Sequence, residues 1–252
     1  MSHKIAIVTG GSRGLGKSMA LNLAQQGVDV ILTYNSKKAE ADAVVKEIEM
    51  SGCKACALQL DVANSKSFGA FAQQVKNALQ EKWHRDTFDF LVNNAGSGAH
   101  ATIAETTEEQ FDQMMNIHFK GVFFLTQKLL PLIADKGRII NISSGLARFA
   151  LPGYSAYASA KGAVETLTRY MAKELGPRGI AVNIVAPGAI ETDFGGGRVR
   201  DNKELNNFVA SQTALGRAGL PDDIGSVVAS LLAEGNGWIN AQRIEVSGGM
   251  FI

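Results

Sequence analysis

Short apolar runs alternate with longer stretches of helical periodicity along most of this chain. The runs are continuous and rich in Val and Ile, which is typical of strands buried on both faces. They predict strands over residues 4–9, 29–34, 54–61, 88–93, 138–143, 180–186 and 243–246. Between them, the 3.6-residue period predicts helices over residues 15–26, 39–50, 65–80, 107–133, 156–175 and 221–233.

This alternation of strand and helix predicts an α/β fold. We expect a single Rossmann-type, doubly wound domain over residues 1–252, with a seven-stranded parallel sheet and helices on both faces. The sequence has no internal repeat, low-complexity tract or linker that would divide it. A longer irregular segment, at about 191–219, interrupts the alternation before the last helix.

The overall charge excludes some partners. The chain has 252 residues, with 25 basic and 24 acidic side chains and a net charge of +1. Such a balance gives no general attraction for nucleic acid or for an acidic membrane surface. No apolar run approaches the roughly 18 residues of a membrane span, and the N-terminal run predicts a strand rather than a signal peptide. We therefore expect a cytoplasmic protein.

The two cysteines form a C-x-x-C pair, Cys53 and Cys56. A zinc site would need two more ligands, and a redox site would need a helix N-terminus. The pair instead lies at the start of an apolar strand pattern. We interpret both as ordinary thiols in a reducing compartment and predict no metal site.

A glycine-rich loop, residues 9–16, follows the first predicted strand. Gly10 allows a tight turn, Gly14 allows the backbone to approach a pyrophosphate, and Gly16 allows close packing of helix on strand. The spacing differs from G-x-G-x-x-G, so by itself the loop is consistent with nucleotide binding or with an ordinary strand–helix turn.

The end of the second predicted strand bears on the choice of nucleotide. NAD sites usually carry an acidic residue there to bind the ribose diol, but no acid lies between Asp29 and Glu40. Arg13 lies in the glycine loop, and Lys37 and Lys38 follow the strand. An arginine suits the 2′-phosphate of NADP, so we predict NADP(H) over NAD(H), although both lysines would also be ordinary at an exposed helix start.

The candidate chemistry lies in residues 139–162. An apolar run ends at Ser143 and Ser144, where a strand would present them at the carboxyl edge of the sheet. Tyr157 and Lys161 follow in a helical stretch, and their spacing places them one turn apart on the same face. A hydroxyl, a phenol and an ammonium facing one crevice are suited to moving a proton to or from a carbonyl or alcohol oxygen.

With both motifs in hand, the chain resembles the short-chain dehydrogenases/reductases over essentially its full length. The motifs also follow that family's order: residues 9–16, Asp61-Val62, residues 93–96, Asn116, Ser144, Tyr157-x-x-x-Lys161, Pro187-Gly188 with Thr192, and Gly248-Gly249. Each motif alone is weak, since Tyr34 and Lys38 also match Y-x-x-x-K. The ordered set is specific.

The resemblance implies a role for each matching residue. Ser144 would bind the substrate oxygen, Tyr157 would be the general acid or base, and Lys161 would favour its phenolate and bind the nicotinamide ribose. Asn116 would bind a water that links Lys161 to solvent. The cofactor-binding residues would be Gly10, Ser12, Arg13, Gly14, Leu15, Gly16, Tyr34, Asn35, Ser36, Asp61, Val62, Asn94, Ala95, Gly96, Tyr157, Lys161, Pro187, Gly188, Ile190 and Thr192.

The predicted activity is NADPH-dependent interconversion of a ketone or aldehyde and its alcohol. Residues 191–219 would form the substrate loop, with Gly195, Gly196 and Gly197 allowing it to move. The family resemblance also implies a homotetramer in which the long helices pair, with apolar side chains such as Phe123 and Phe124 on that face.

Three alternatives stay open. The chain is also similar to 3-oxoacyl-[acyl-carrier-protein] reductases, whose acidic protein partner would require basic residues around the cleft. Lys136, Arg138 and Arg178 are the candidates. A dinucleotide-binding regulator without chemistry is the second alternative, but such proteins usually lose part of the trio. A methyltransferase with a similar sheet is the third, but it would not explain Tyr157 with Lys161.

Overall fold

The computed structural model describes residues 3–252. Its strands are β1 Ile5–Val8, β2 Asp29–Tyr34, β3 Ala55–Gln59, β4 Phe88–Asn93, β5 Ile133–Ile142, β6 Ala181–Pro187 and β7 Arg243–Val246. Its helices are α1 Gly14–Gln25, α2 Lys38–Met50, α3 Phe68–Ala78, α4 Glu108–Met115, α5 Gly121–Leu129, α6 Ser155–Leu175, α7 Arg198–Asp201, α8 Lys203–Ser211 and α9 Pro221–Leu232.

All seven strands form one parallel sheet, in the order β3-β2-β1-β4-β5-β6-β7. This confirms the predicted fold class. The strand order reverses between β1 and β4, and such a switch point opens a crevice at the carboxyl ends of the strands. The loops after β1, β4 and β5 therefore meet at one edge of the sheet.

Apolar side chains from both faces of the sheet form the core. One cluster packs α1, α2 and α9 against the sheet through residues such as Leu23, Ile48 and Val228. The opposite cluster packs α3, α5 and α6 through residues such as Phe71, Leu129 and Leu167. The strands are covered on both sides, which explains why their sequences are continuous apolar runs.

The predicted helix over residues 107–133 is interrupted. It consists of α4, a π-helical turn at Asn116–Lys120, α5 and a 3₁₀ turn at Leu130–Leu132. Pro131 ends the α-helical path because it lacks a backbone N–H. Residue 133, predicted as helical, already belongs to β5. The segment predicted as irregular, 191–219, contains the short helices α7 and α8.

The thiols have the ordinary character that the sequence suggests. Burial raises the pKa of Cys56 to about 11, and it also raises the pKa of Cys53. A raised pKa leaves little thiolate at neutral pH, so neither cysteine is activated as a nucleophile.

Within residues 3–252, none of the helices combines the length and the apolar character that a membrane span requires.

A ladder of buried polar side chains ties β4 and β5 to the helices behind them. The amide Nδ2 of Asn93 donates to Thr126 Oγ1 at 3.0 Å and to Asn141 Oδ1 at 2.9 Å. The amide of Asn141 in turn donates to Thr168 Oγ1 at 2.9 Å. The ladder fixes α6, through Thr168, relative to the end of β5.

We predict that Asn141→Ala lowers the free energy of unfolding by about 2–3 kcal/mol, because it leaves buried partners unpaired and a small cavity. Urea denaturation measures this. The control is Asn77→Ala, which removes an exposed side-chain hydrogen bond and should change stability by less than about 0.5 kcal/mol. An equal effect of both variants would show that the ladder contributes nothing specific.

Candidate active site

Strand β5 presents Ser143 and Ser144 at the carboxyl edge of the sheet. The backbone N–H of Ser143 still pairs with Val185 O of β6 at 2.7 Å. Ser144 keeps an extended backbone, and its hydroxyl accepts a hydrogen bond of 3.2 Å from Leu146 N, which caps the 3₁₀ turn Gly145–Ala147. This cap fixes the Ser144 side chain at the mouth of the crevice.

Helix α6 carries Tyr157 and Lys161, and both side chains are buried. The ammonium Nζ of Lys161 donates to Ile142 O at 2.7 Å, so the lysine is tied to the last residue of β5. The same nitrogen lies 5.6 Å from the centre of the Tyr157 ring. The structure thus brings Ser144, Tyr157 and Lys161 together, as the spacing of the sequence predicts.

Burial sets the protonation of this site. Burial raises the pKa of Tyr157 to about 12, while the neighbouring Ser144 hydroxyl lowers it by a smaller amount. Burial also lowers the pKa of Lys161 to about 7. The sequence argument predicted that Lys161 would favour the phenolate. Desolvation of the phenolate raises the pKa of Tyr157 by more than the hydrogen bond with Ser144 lowers it. Tyr157 is therefore a neutral phenol at pH 7.

A charged network behind the site fixes the ends of β5 and α6. Glu165, one turn after Lys161, accepts hydrogen bonds from Ser143 Oγ at 2.6 Å and from Arg243 Nε at 2.7 Å. Arg243 also pairs with Glu245 at 2.8 Å, and both belong to β7. The sequence analysis missed Glu165, although its position eight residues after Tyr157 places it on the same face of the helix.

The π-helical turn places His118 against Tyr157. The His118 ring is edge-on to the Tyr157 ring, with centroids 4.9 Å apart, and its side chain is buried. Asn116 lies two residues earlier and is only half-buried. Burial, and to a lesser degree the charge of Lys161, lower the pKa of His118 to about 3, so its ring is neutral. The sequence reasoning missed His118 because it expected an uninterrupted α-helix here.

The glycine loop has the close approaches that its sequence suggests. A side chain at Gly16 would overlap the Gly10 carbonyl and come within 2.6 Å of Asn94 Nδ2, so only glycine fits. Thr9 Oγ1 accepts hydrogen bonds from the backbone N–H groups of Asn94 and Ala95, both at 2.9 Å. One hydroxyl therefore joins the glycine loop to the segment after β4.

The start of α1 has backbone N–H groups available for an anion. Arg13 occupies the N-cap position and makes no side-chain capping bond. Ser12 and Leu15 are half-buried beside it, and the Arg13 side chain is exposed. An uncapped helix N-terminus after a turn with positive φ angles at Gly10 and Gly14 fits the pyrophosphate of a dinucleotide.

The ends of β2 and β3 lie side by side at the same edge. Leu60 N donates to Tyr34 O at 2.8 Å, and Gln59 donates to Asn35 O at 2.8 Å. Asp61 and Val62 therefore follow β3 next to Tyr34, Asn35 and Ser36. This neighbourhood has the location expected of an adenosine pocket, and the basic residues Lys37 and Lys38 border it.

The loop after β6 covers the crevice. Pro187 ends the strand, Gly188 N pairs with Val246 O, and Ile190 pairs with Gly219 across the base of the loop. A Cβ on Gly14 would lie 3.6 Å from Thr192, so this loop reaches the glycine loop. Asp193 also lies 3.7 Å from Arg13.

Phe194 lies over the ring of Tyr157. Its ring centroid is 5.7 Å from that of Tyr157, and a Cβ on Gly98 would come within 3.0 Å of it. The three following residues, Gly195, Gly196 and Gly197, all have positive φ angles between 61° and 77°. Such a run of positive φ angles is readily adopted only by glycine.

Comparisons with known proteins agree with this geometry. The family model described as "Enoyl-(Acyl carrier protein) reductase" matches residues 10–251. The 3-oxoacyl-[acyl-carrier-protein] reductase FabG of Staphylococcus aureus is 37% identical, and the match covers 99% of this chain and 98% of that protein. A fold built around a switch-point crevice and a Ser/Tyr/Lys site, together with these matches, places the chain in the short-chain dehydrogenase/reductase family.

Two solved structures are similar over nearly the whole chain. The promiscuous reductase LugOII, which catalyses keto-reduction at C1 during lugdunomycin biosynthesis, has a TM-score of 0.94 at 37% identity, covering 99% of this chain and 98% of that one. The angucycline C-6 ketoreductase LanV with bound NADP has a TM-score of 0.93 at 34% identity, covering 98% and 95%. This chain is thus a family member whose fold matches ketoreductases.

The neutral state of His118 predicts a pH dependence of stability. Between pH 6.5 and about 3 the unfolded state binds a proton that the folded state excludes, so stability is full above pH 6.5 and falls as the pH is lowered. The slope approaches about 1.4 kcal/mol per pH unit. His118→Asn removes the titrating group, so its urea midpoint should fall less than that of wild type between pH 7 and 4.5. Identical losses would show that His118 does not govern this range.

Proposed function

We propose that this protein is an NADPH-dependent reductase that converts the carbonyl group of a small ketone or aldehyde into an alcohol, and catalyses the reverse reaction. The observation that carries the proposal is the buried stack of Lys161 and Tyr157 beside Ser144, at the crevice of a dinucleotide-binding sheet. When bound, NADPH supplies the hydride.

The chain's own residues supply binding and the proton. The Ser144 hydroxyl donates a hydrogen bond to the substrate oxygen, which polarises the carbonyl group. The Tyr157 phenol then donates its proton to that oxygen. Its pKa of about 12 keeps the phenol protonated at pH 7, so it is available as the general acid for reduction. Lys161 holds the nicotinamide ribose and places a positive charge beneath the ring.

The proposed cofactor residues follow the sequence predictions. Gly10, Gly14 and Gly16 accommodate the pyrophosphate, and Ile190 and Thr192 bind the carboxamide. Arg13 binds the 2′-phosphate, supported by the absence of an acidic side chain at the end of β2 and by the NADP bound to LanV. Asn116 remains a predicted water ligand.

The surroundings of Tyr157 favour an apolar substrate. Phe194 packs over its ring, and His100 is edge-on to Tyr154 with centroids 5.0 Å apart, so aromatic faces border the cleft. LugOII and LanV are named as ketoreductases of lugdunomycin and angucycline chemistry. We therefore propose a ketone on an apolar or aromatic framework as the substrate.

Reduction of an acyl-carrier-protein thioester is the second candidate. It is favoured by the 37% identity to FabG of S. aureus. The basic side chains expected around the cleft do not support it, because Lys136 and Arg138 lie at the start of the β5 pairing with β6 and Arg178 pairs with Asp135 nearby. Six residues of strand, about 20 Å, separate Arg138 from Ser144, so that expectation was wrong.

Assembly and location remain predictions. The homotetramer implied by the resemblance is supported by Phe123 and Phe124 on α5, which are partly exposed and in edge contact with each other. Gel filtration with light scattering tests this. A cytoplasmic location is expected from the cysteine content and rests on the sequence argument.

NADPH consumption against a panel of aldehydes, aliphatic ketones, aromatic ketones and an acetoacetyl thioester tests the proposed reaction. We expect turnover of ketones, with aromatic ketones ahead of aliphatic ones. Exclusive use of the thioester would favour the second candidate. Failure of every carbonyl substrate, with NADPH still bound, would favour the regulator that lacks chemistry.

We predict that Tyr157→Phe lowers kcat by about a hundredfold or more, because the substrate oxygen loses its proton donor. NADPH binding, followed by the quenching of protein fluorescence, should be unchanged. The control is Tyr170→Phe on the same helix, whose ring is exposed and which should retain wild-type turnover. A Tyr157→Phe enzyme with more than about a tenth of wild-type kcat would refute the assignment.

We predict that Arg13→Ala raises the KM for NADPH by about tenfold or more while leaving the KM for NADH unchanged, because only NADPH carries the 2′-phosphate. Steady-state kinetics with both cofactors measures this. Lys17→Ala is the control, since Lys17 pairs with Glu47 on the exposed side of α1. If wild type used both cofactors with comparable KM values, the predicted NADP(H) preference would be wrong.

A further inference from the structure

The imidazole of His118 has an unexplained buried nitrogen. Its Nε2 lies 2.6 Å from the carbonyl oxygen of Ser97. A carbonyl oxygen can only accept, so Nε2 carries the hydrogen and, in the neutral ring, Nδ1 is a bare acceptor. Within residues 3–252, the buried Nδ1 has no hydrogen-bond partner. Buried polar atoms without partners are uncommon, and this one belongs to a ring that lies edge-on to Tyr157.

Lys161, in turn, has N–H donors that lack acceptors among residues 3–252. Its ammonium carries three N–H donors, and the hydrogen bond recorded for it in the described part of the chain is the one to Ile142 O. The side chain is only 5% exposed, so bulk water does not satisfy the other two donors. The charge of Lys161 also contributes to the lowered pKa of His118.

Both groups border the same ring. His118 lies edge-on to Tyr157 at 4.9 Å, and the ammonium lies 5.6 Å from the centre of that ring. The π-helical turn Asn116–Lys120 creates this arrangement, because it adds a residue to the helical turn from which His118 projects. Such turns are often found at functional sites.

We propose that His118 is a positioning residue of this active site, whose Nδ1 accepts a hydrogen bond from the Lys161 ammonium through one buried water. The water is required because no direct hydrogen bond joins the two groups within residues 3–252. It would pair the bare acceptor with an unused donor. The bond fixes the ammonium beneath the Tyr157 ring and stabilises its protonated form. The inference rests on the proposed function.

A matched pair of variants tests this. The Oδ1 atom of asparagine reproduces the acceptor at Nδ1, whereas the Nε2 atom of glutamine reproduces the donor to Ser97 O but not the acceptor. Loss of the acceptor should destabilise the ammonium and lower the pKa of Lys161. As the pH is raised, the activity that needs this ammonium should then be lost at a lower pH than in wild type.

For His118→Gln we expect kcat at pH 8 to fall about tenfold and the basic limb of the kcat–pH profile to move to lower pH by about one unit. The KM for NADPH should stay within about twofold, and melting temperatures confirm that each variant is folded. His118→Asn should keep the wild-type profile. A wild-type profile in His118→Gln, or equal shifts in both variants, would overturn the proposal.

The variant Asn116→Ala shows whether Asn116, rather than His118, interacts with Lys161 through the water. If Asn116→Ala moved the basic limb while His118→Gln left it unchanged, the role would return to Asn116 and the proposal would fail. Failure of the proposed function has a different signature. In that case wild type itself would not oxidise NADPH with any carbonyl substrate, or Tyr157→Phe would remain active.

An NMR measurement that needs no turnover tests the proposal if the His118 variants do not fold. In ¹⁵N-imidazole NMR spectra of wild type, His118 Nδ1 should resonate as an unprotonated nitrogen that accepts a hydrogen bond. Lys161→Met removes the donor, so the Nδ1 signal should move towards that of a free acceptor. An Nδ1 signal unaffected by Lys161→Met, or one that is protonated at pH 7, would overturn the proposal.

Discussion

The buried ammonium of Lys161 is the constraint on which the site depends. An isolated charge inside a protein is costly, and this one is accommodated by a carbonyl at the end of β5 and by the aromatic ring one turn earlier on α6. To keep that pairing, the strand end and the helix must be held in a fixed relation. Much of the polar structure around β5 serves this purpose.

Two networks hold that relation from different sides. The amide ladder through Asn141 joins the interior of β5 to Thr168, two turns beyond Lys161. The charged network through Glu165 joins the residue before Ser144 to β7. One network is neutral and fully buried, and the other is charged and partly exposed. Together they fix both ends of the segment that carries the chemistry, so the reacting side chains sit on a rigid frame.

Sequence reasoning predicted the fold well because the signals were strong. Strands β2, β4 and β7 have the predicted bounds, and β2 and β4 are mostly apolar runs that are buried at every residue. The same-face placement of Tyr157 and Lys161 followed from the helical period, and the position of Ser144 followed from the end of a strand pattern. The interrupted helix before β5 could not be predicted in the same way, because a π-helical turn depends on tertiary packing and carries little local signal.

The π-helical turn explains why the sequence reasoning did not identify His118 as part of the site. An α-helical period gave no reason to direct His118 towards Tyr157. The direction of the tyrosine pKa was also missed, because it depends on how completely the phenol is desolvated, which only the packed structure reveals. Likewise, the basic candidates Lys136 and Arg138 lie in β5 itself but towards the end opposite Ser144, and Arg178 pairs with Asp135 at that same end.

The contact between Gly98 and Phe194 has a consequence for engineering this protein. The two positions are almost a hundred residues apart in the chain, yet a Cβ added at Gly98 would come within 3.0 Å of the Phe194 ring. Substitutions at the two sites are therefore energetically coupled and will not combine additively. A library that varies both together samples wider clefts that stepwise selection, one position at a time, would miss.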